Sequence, residues 1–151
     1  MSDQPTYRAS CFCGDVQITL KGQAELQAYC HCDSCRRWSG GPVNAFTLWQ
    51  PGNVEVTQGL DKIAGFDGNP GSDHEGVVSK RKWCKSCGGH VFTDHPAMGL
   101  VDVPSAAIVD FAFEPAFHVH YRESVHRVTD GLTKFGDLPE AAGGSGLELA
   151  E

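Results

Sequence analysis

The sequence has no long apolar run. No stretch approaches the roughly 20 consecutive apolar residues of a membrane-spanning helix, and the segment from Met1 to Tyr7 lacks the apolar core of a signal peptide. We therefore expect a cytoplasmic protein with no membrane partner. Structural disulfides are rare in that reducing compartment, so the seven cysteines are interpreted as metal ligands or reactive thiols rather than as disulfide partners.

The sequence also has little positive charge. It contains 12 lysines and arginines against 19 aspartates and glutamates, and its formal net charge at pH 7 is −7. Nucleic-acid-binding proteins present a clustered basic surface that releases counterions, so nucleic acid is not an expected partner. The one basic run, Lys80-Arg81-Lys82, is interpreted as a solvated strand end. Paired catalytic carboxylates, a phosphate-binding glycine loop and a Ser-His-Asp ordering are not evident either.

The dominant period of the apolar residues is two, which is typical of strands. Val16, Ile18 and Leu20 alternate with polar residues, and 18 glycines and 8 prolines separate several other short β-branched or aromatic runs. We predict a mostly β, antiparallel fold of about eight to ten short strands with little helix.

One short helix is predicted at Asp33–Ser39, with Asp33 as its N-cap and Gly40 just after its end. We expect a single domain over residues 1–138. The segment 139–151 is glycine-rich and has few apolar residues, which predicts a flexible C-terminal tail.

The cysteines fall in three tight clusters, and these carry most of the functional information. Cys84-x-x-Cys87 followed by Gly88 is typical of a zinc knuckle, in which a tight turn directs two sulfurs at one metal ion. Cys11-x-Cys13 followed by glycine has the same character. We predict that these two pairs form one four-thiolate structural Zn²⁺ site that joins distant segments of the chain.

The third cluster provides three soft ligands, Cys30, Cys32 and Cys35, within six residues. A zinc ion with three protein ligands keeps one position for water or substrate, as catalytic zinc sites do. It acts there as a Lewis acid and keeps a coordinated thiol deprotonated. Arg36 and Arg37 follow directly and could lower a thiol pKa or pair with a substrate carboxylate.

The alternative is a closed second site, in which a histidine supplies the fourth ligand. His31 lies within the cluster but points the other way if the local chain is extended. His118 and His120 alternate on a predicted strand and therefore face the same side, and His90 is a further candidate. The sequence leaves the open and the closed site as alternatives.

In this order the motifs Cys-x-Cys-Gly-x-Val, Cys-His-Cys-x-x-Cys-Arg-Arg-Trp-Ser-Gly and Trp-Cys-x-x-Cys-Gly resemble those of the glutathione-dependent formaldehyde-activating family, which is related to centromere protein V. The resemblance extends from Cys11 to about Pro139. It implies an Mss4-like β fold with two zinc ions. The implied structural ligands are Cys11, Cys13, Cys84 and Cys87, and the implied catalytic ligands are Cys30, Cys32 and Cys35.

The resemblance further implies a carbon–sulfur lyase activity of the S-(hydroxymethyl)glutathione synthase type. Its partners would be a small thiol such as glutathione and formaldehyde or a related small aldehyde. The alternative to an enzyme is a zinc-stapled binding or metal-handling module without catalytic activity.

Overall fold

The computed structural model describes residues 3–70 and 78–151. These residues form a mostly β structure with twelve strands and one α-helix, which confirms the predicted fold class. The strands are β1 Thr6–Ser10, β2 Gln17–Lys21, β3 Leu26–Cys30, β4 Asn44–Trp49, β5 Val54–Gln58, β6 Ile63–Asp67, β7 Lys80–Cys84, β8 His90–His95, β9 Leu100–Pro104, β10 Phe117–Val119, β11 Thr133–Phe135 and β12 Glu148–Leu149; the helix is α1, Asp33–Ser39.

The described chain divides into two compact units that are interleaved in sequence. The first contains residues 3–25, 47–69 and 78–113, and the second contains residues 26–46, 70 and 114–151. Strand β4 contributes residues to both units. Among the described residues, no helix is long and apolar enough to cross a membrane.

The first unit is built from antiparallel strands. Strands β1, β2 and β5 form one sheet, and β6 to β9 pair in sequence order. The alternation that predicted β2 is observed, because Val16, Ile18 and Leu20 are all buried in the apolar core of this unit. Cys11 and Cys84 belong to the same core, so two predicted metal ligands are also packing residues.

The second unit is centred on β10. This strand pairs in parallel with β3 on one side and with β11 on the other, and β12 pairs antiparallel with β11. Parallel neighbours need a long connection, which the chain between β3 and β10 provides. A small apolar cluster lies here, in which Cys30, Cys32 and Val119 pack against Phe46 and other partly buried side chains.

Helix α1 covers the predicted residues, but its N-cap differs from the prediction. The cap is Cys32, whose Sγ accepts a hydrogen bond from the backbone N–H of Cys35 at 3.3 Å. Asp33 is instead the first helical residue, and its carboxylate lies 3.7 Å from Arg36 and 3.5 Å from Arg37. Gly40 ends the helix in the left-handed conformation, with φ 69°.

The C-terminal residues make defined contacts. Strand β12 pairs with β11, and Oε1 of Glu151 lies 2.8 Å from Nζ of Lys134. The domain boundary at residue 138 and the flexibility of residues 139–151 in solution stay predictions. Amide hydrogen exchange of β12 would test the second of these, since a mobile tail would exchange far faster than β10.

Candidate metal centres

The first cluster lies entirely in the first unit. Its four Sγ atoms all lie within 4.8 Å of one another, and the residues are Cys11, Cys13, Cys84 and Cys87. The glycine after each pair has the left-handed backbone that lets the chain turn away from the sulfurs, with φ 86° at Gly14 and 74° at Gly88. The structure therefore brings together the four residues that the sequence predicted for one site.

The spacing of these sulfurs fits a tetrahedral zinc ion. Sγ of Cys13 lies 3.7 Å from that of Cys11 and 3.9 Å from that of Cys84. Thiolates bound tetrahedrally at about 2.3 Å from zinc would lie about 3.8 Å apart. Backbone N–H groups of Val16 and Gly89 point at the sulfurs of Cys11 and Cys87, each at 3.3 Å, where they stabilise negative charge on sulfur.

The four neighbouring thiols have unequal pKa values. The N–H of Gly89 is the main cause that lowers the pKa of Cys87 to about 6. At the exposed Cys13 the N–H of Asp15 favours the thiolate, but partial desolvation of the sulfur and its bonds to the neighbouring sulfurs outweigh it and raise the pKa to about 12. Thiolates this close repel one another, so all four can ionise together only around a cation.

The second cluster lies entirely in the second unit. The Sγ atoms of Cys30, Cys32 and Cys35 also lie within 4.8 Å of one another. Cys30 ends β3, Cys32 caps α1 and Cys35 lies in the first turn of that helix. Cys30 and Cys32 are buried and Cys35 is half-buried, so this cluster is most accessible from the side of Cys35.

The second cluster favours a thiolate at Cys32. Hydrogen bonds from the thiols of Cys30 and Cys35 are the largest causes that lower the pKa of Cys32 far below its usual range, and the N–H of Cys35 adds to them. The bond to Cys32 in turn raises the pKa of the buried Cys30 thiol. Three sulfurs with one readily ionised member are a donor set that zinc prefers.

No histidine of the described residues joins the three sulfurs within that distance. His31 is turned to His118, with its Nε2 2.8 Å from Nδ1 of that residue, in agreement with the prediction that it points away from the cluster. Burial is the main cause that lowers the pKa of His31 to about 4, so it is neutral at pH 7. Whether the second site is open or closed stays a prediction.

The two arginines after the cluster differ in their environment. Nε of Arg36 donates to the carbonyl oxygen of His31 at 2.9 Å, so this guanidinium supports the turn. The side chain of Arg37 is 63% exposed. Arg37 is therefore the better placed of the two to meet a substrate carboxylate.

Sequence analysis did not identify the hydrogen-bonded polar residues of the second unit. Asp130 contacts both His118 and Lys134 in the second unit, yet neither Asp130 nor Lys134 was a candidate. Both residue types usually lie at the surface, so residue type alone did not mark them as members of a network.

Comparison with known proteins gives consistent matches. A family model described as glutathione-dependent formaldehyde-activating enzyme matches residues 6–123. A Schizosaccharomyces pombe protein called an uncharacterized lyase is 26% identical over 84 residues, which are 56% of this chain and 54% of that protein. An Aspergillus terreus protein, provisionally named a glutathione-dependent formaldehyde-activating enzyme, is 30% identical over 89 residues, which are 56% of this chain and 43% of that protein.

The chain thus spans about half the length of the curated relatives it matches. A crystal structure of a Rhodobacter sphaeroides protein superposes with a TM-score of 0.52 at 18% identity, covering 70% of this chain and 90% of that one. At that identity the similarity concerns the fold alone.

Proposed function

The chain belongs to the glutathione-dependent formaldehyde-activating enzyme family, and we propose that it is a zinc-dependent carbon–sulfur lyase. Its substrate would be the adduct of a small thiol, such as glutathione, with formaldehyde or a related small aldehyde. The observation that carries the proposal is the division of the seven cysteines into one group of four and one group of three. The names of the matching family and relatives support the reaction class.

In this proposal each cysteine group has a separate task. The group of four, Cys11, Cys13, Cys84 and Cys87, would hold a structural zinc ion, and the group of three, Cys30, Cys32 and Cys35, would hold zinc at the reaction site. When bound there, zinc supplies Lewis acidity and lowers the pKa of a coordinated thiol.

The surrounding residues position the reactants. Cys30 and Cys32 lie against the apolar side chains of Val119 and Phe46, which limit access of water from that side. The thiol approaches from the side of Cys35, and the exposed guanidinium of Arg37 pairs with its carboxylate. In synthesis the thiol sulfur forms a bond to the aldehyde carbon and the thiol proton is transferred to the aldehyde oxygen; the lyase direction reverses both changes.

This reaction needs positioning and charge control more than a strong catalytic base. The electrophile is small and the carbon–sulfur bond forms reversibly, so holding the thiol near the aldehyde supplies much of the acceleration. The adduct also forms without an enzyme, and every assay therefore needs a protein-free rate for comparison.

The decisive test is the exchange rate between free formaldehyde and its glutathione adduct, measured by NMR with and without the protein. We expect acceleration by the wild type, none by Cys32→Ser, and a raised KM for glutathione in Arg37→Gln. Arg8→Gln removes an exposed arginine from β1 of the first unit and should change nothing. Absence of acceleration with glutathione and with other cellular thiols would refute the lyase proposal. Four protein ligands at both metals, seen in Co²⁺ spectra, would then favour a binding module.

A further inference from the structure

A line of five polar side chains runs from the interior of the second unit, at His31, to its surface, at Glu151. Nε2 of His31 lies 2.8 Å from Nδ1 of His118, and Nε2 of His118 lies 2.8 Å from Oδ2 of Asp130. Nζ of Lys134 donates to Oδ1 of Asp130 at 2.5 Å and to Oε1 of Glu151 at 2.8 Å. His31, His118 and Lys134 are each no more than 1% exposed.

Asp130 sets the direction of these hydrogen bonds. Burial alone would raise its pKa, but the bonds from Lys134 and His118 outweigh burial and hold the pKa well below its usual range. An ionised carboxylate only accepts hydrogen bonds, so Nε2 of His118 carries the hydrogen and donates a hydrogen bond to Asp130. Nδ1 of His118 shares a hydrogen bond with Nε2 of His31, and together these bonds fix the ring orientation of both histidines.

His31 connects this line to the second cluster, because it lies between Cys30 and Cys32 in the chain. Its backbone N–H donates to the carbonyl oxygen of Val119 at 3.0 Å, and its own carbonyl accepts from Arg36 at 2.9 Å. The bond from its ring to His118 is a third attachment. One residue is thus held by β10 through its backbone and its side chain, and by α1 through its carbonyl.

We propose that His118 and Asp130 are positioning residues for the second cluster, because they hold His31 and thereby the turn that carries Cys30 and Cys32. The inference rests on the proposed role of that cluster as a metal site. Residues that orient metal ligands from one shell further out typically change metal affinity by about 10 to 100 fold when replaced. The same range is expected here.

General stability gives a weaker explanation of this network. Buried polar groups cost free energy unless every one is bonded, and a well-packed apolar core of similar volume is often at least as stable. The network is also incompletely bonded at its inner end, where Nδ1 of His31 is buried without a hydrogen-bond partner. Because the network ends at His31, which lies between Cys30 and Cys32 in the chain, we infer that it has a role at the second cluster.

Two substitutions of His118 test separately its hydrogen bonds to His31 and to Asp130. An asparagine amide lies near the position of Nδ1 and a glutamine amide near that of Nε2, so His118→Asn keeps the contact with His31 and His118→Gln keeps the contact with Asp130. We expect His118→Gln to weaken zinc affinity at the second site by about 10 to 100 fold, and His118→Asn to weaken it less. Affinity at the first site should not change, as measured by competition with a chromophoric chelator.

A matched control removes buried hydrogen bonds from the other unit. In Thr47→Val the hydroxyl that donates to Val103 at 2.6 Å and accepts from Trp49 at 2.8 Å is lost. This variant should lose stability without a change of affinity at the second site. Equal weakening by Thr47→Val and His118→Gln, or wild-type affinity in His118→Gln, would overturn the proposal.

A gentler variant covers the case in which His118→Gln does not fold. Asp130→Asn is nearly isosteric and keeps one acceptor oxygen, so a smaller but measurable loss of second-site affinity is expected; wild-type affinity there would also overturn the proposal. Metal affinity is measured without any thiol or aldehyde. A protein that fails the exchange assay can therefore still show this pattern, and the two proposals fail separately.

Discussion

Cys32 has two tasks in one side chain. Its sulfur caps α1 through the N–H of Cys35 and also belongs to the group of three sulfurs. Cys84 instead is fully buried in the apolar core of the first unit, within a group that joins segments distant in sequence. The same change from cysteine to serine should therefore have different results at the two positions.

We expect Cys84→Ser to lower the melting temperature sharply and Cys32→Ser to leave a folded protein with one zinc ion. Structural zinc contributes about 10 to 16 kcal/mol in peptide sites, against a net stability of about 5 to 15 kcal/mol for a domain. Serine is itself a good N-cap, so α1 should persist in Cys32→Ser. Thermal melts and zinc analysis measure both effects; equal loss of folding in the two variants would show that the cysteines are divided wrongly.

The structure leaves no room for a side chain at Gly89. A Cβ there would lie 2.8 Å from the backbone nitrogen of Phe12 and 3.2 Å from Sγ of Cys87. We expect Gly89→Ala to cost about 1 to 3 kcal/mol through overpacking and to loosen zinc at the first site. Gly52→Ala is the matched control, because a Cβ at Gly52 meets nothing within 4 Å. Urea denaturation should leave that control within about 0.5 kcal/mol of the wild type.

At the residue scale, each cysteine motif could be identified as a set of ligands because its spacing is local. Cys11-x-Cys13 and Cys84-x-x-Cys87 each bring two sulfurs together through a single turn, and the following glycines mark those turns. Lys134 and Asp130 could not be predicted in the same way. Whether a lysine is buried against a carboxylate depends on how the chain brings the two together, and local spacing does not show this.

At the scale of the element, β11 places a lysine inside the second unit. Burial alone would lower the pKa of Lys134, but its bonds to Asp130 and Glu151 outweigh burial and raise it. The hydrogen bond from Lys134 lowers the pKa of Asp130 in turn. At Glu151 the hydrogen bond from Lys134 is the largest cause that lowers the pKa. This part of the sheet is therefore stabilised by charges that must remain ionised.

Acid should weaken that stabilisation. A carboxyl group whose pKa is lowered by folding contributes fully above its ordinary pKa of about 4 and loses the contribution as the pH falls through its folded pKa. We expect Glu151→Gln to be less stable than the wild type at pH 7, and the difference to shrink as the pH falls below about 4. Urea denaturation over this range measures it, and loss of metal in acid affects both proteins alike. Glu148→Gln, an exposed change in β12 three residues before Glu151, should show no such trend; a difference for Glu151→Gln that is constant with pH would contradict the argument.

The pairing of β10 shows what periodicity leaves undetermined. The period of two predicted strands, but the parallel pairing of β10 with β3 and β11 depends on segments far apart in the chain. Cys32 as the cap of α1 is a similar case, because its sulfur is an uncommon acceptor and Asp33 has the more usual capping side chain.

At the scale of the whole molecule, each unit contains one cysteine cluster. A three-thiolate site with an exchangeable position should hold zinc less tightly than a four-thiolate site, and its sulfurs should oxidise more readily. We expect between one and two zinc ions per chain after purification, as the sum of one full and one partly filled site. Gentle chelation should remove the second ion while circular dichroism stays native. Freshly purified, folded protein without zinc would refute both site assignments.

The two clusters also differ in how much chain they enclose. Cys13 and Cys84 are 71 positions apart, whereas the second cluster lies within six residues. Closing a long loop costs entropy and slows folding, and synthesis completes the short cluster well before Cys84 has left the ribosome. The nascent chain can therefore acquire its first ion at the site that we expect to bind it less tightly, so that the order of metal loading is the reverse of the order of affinity.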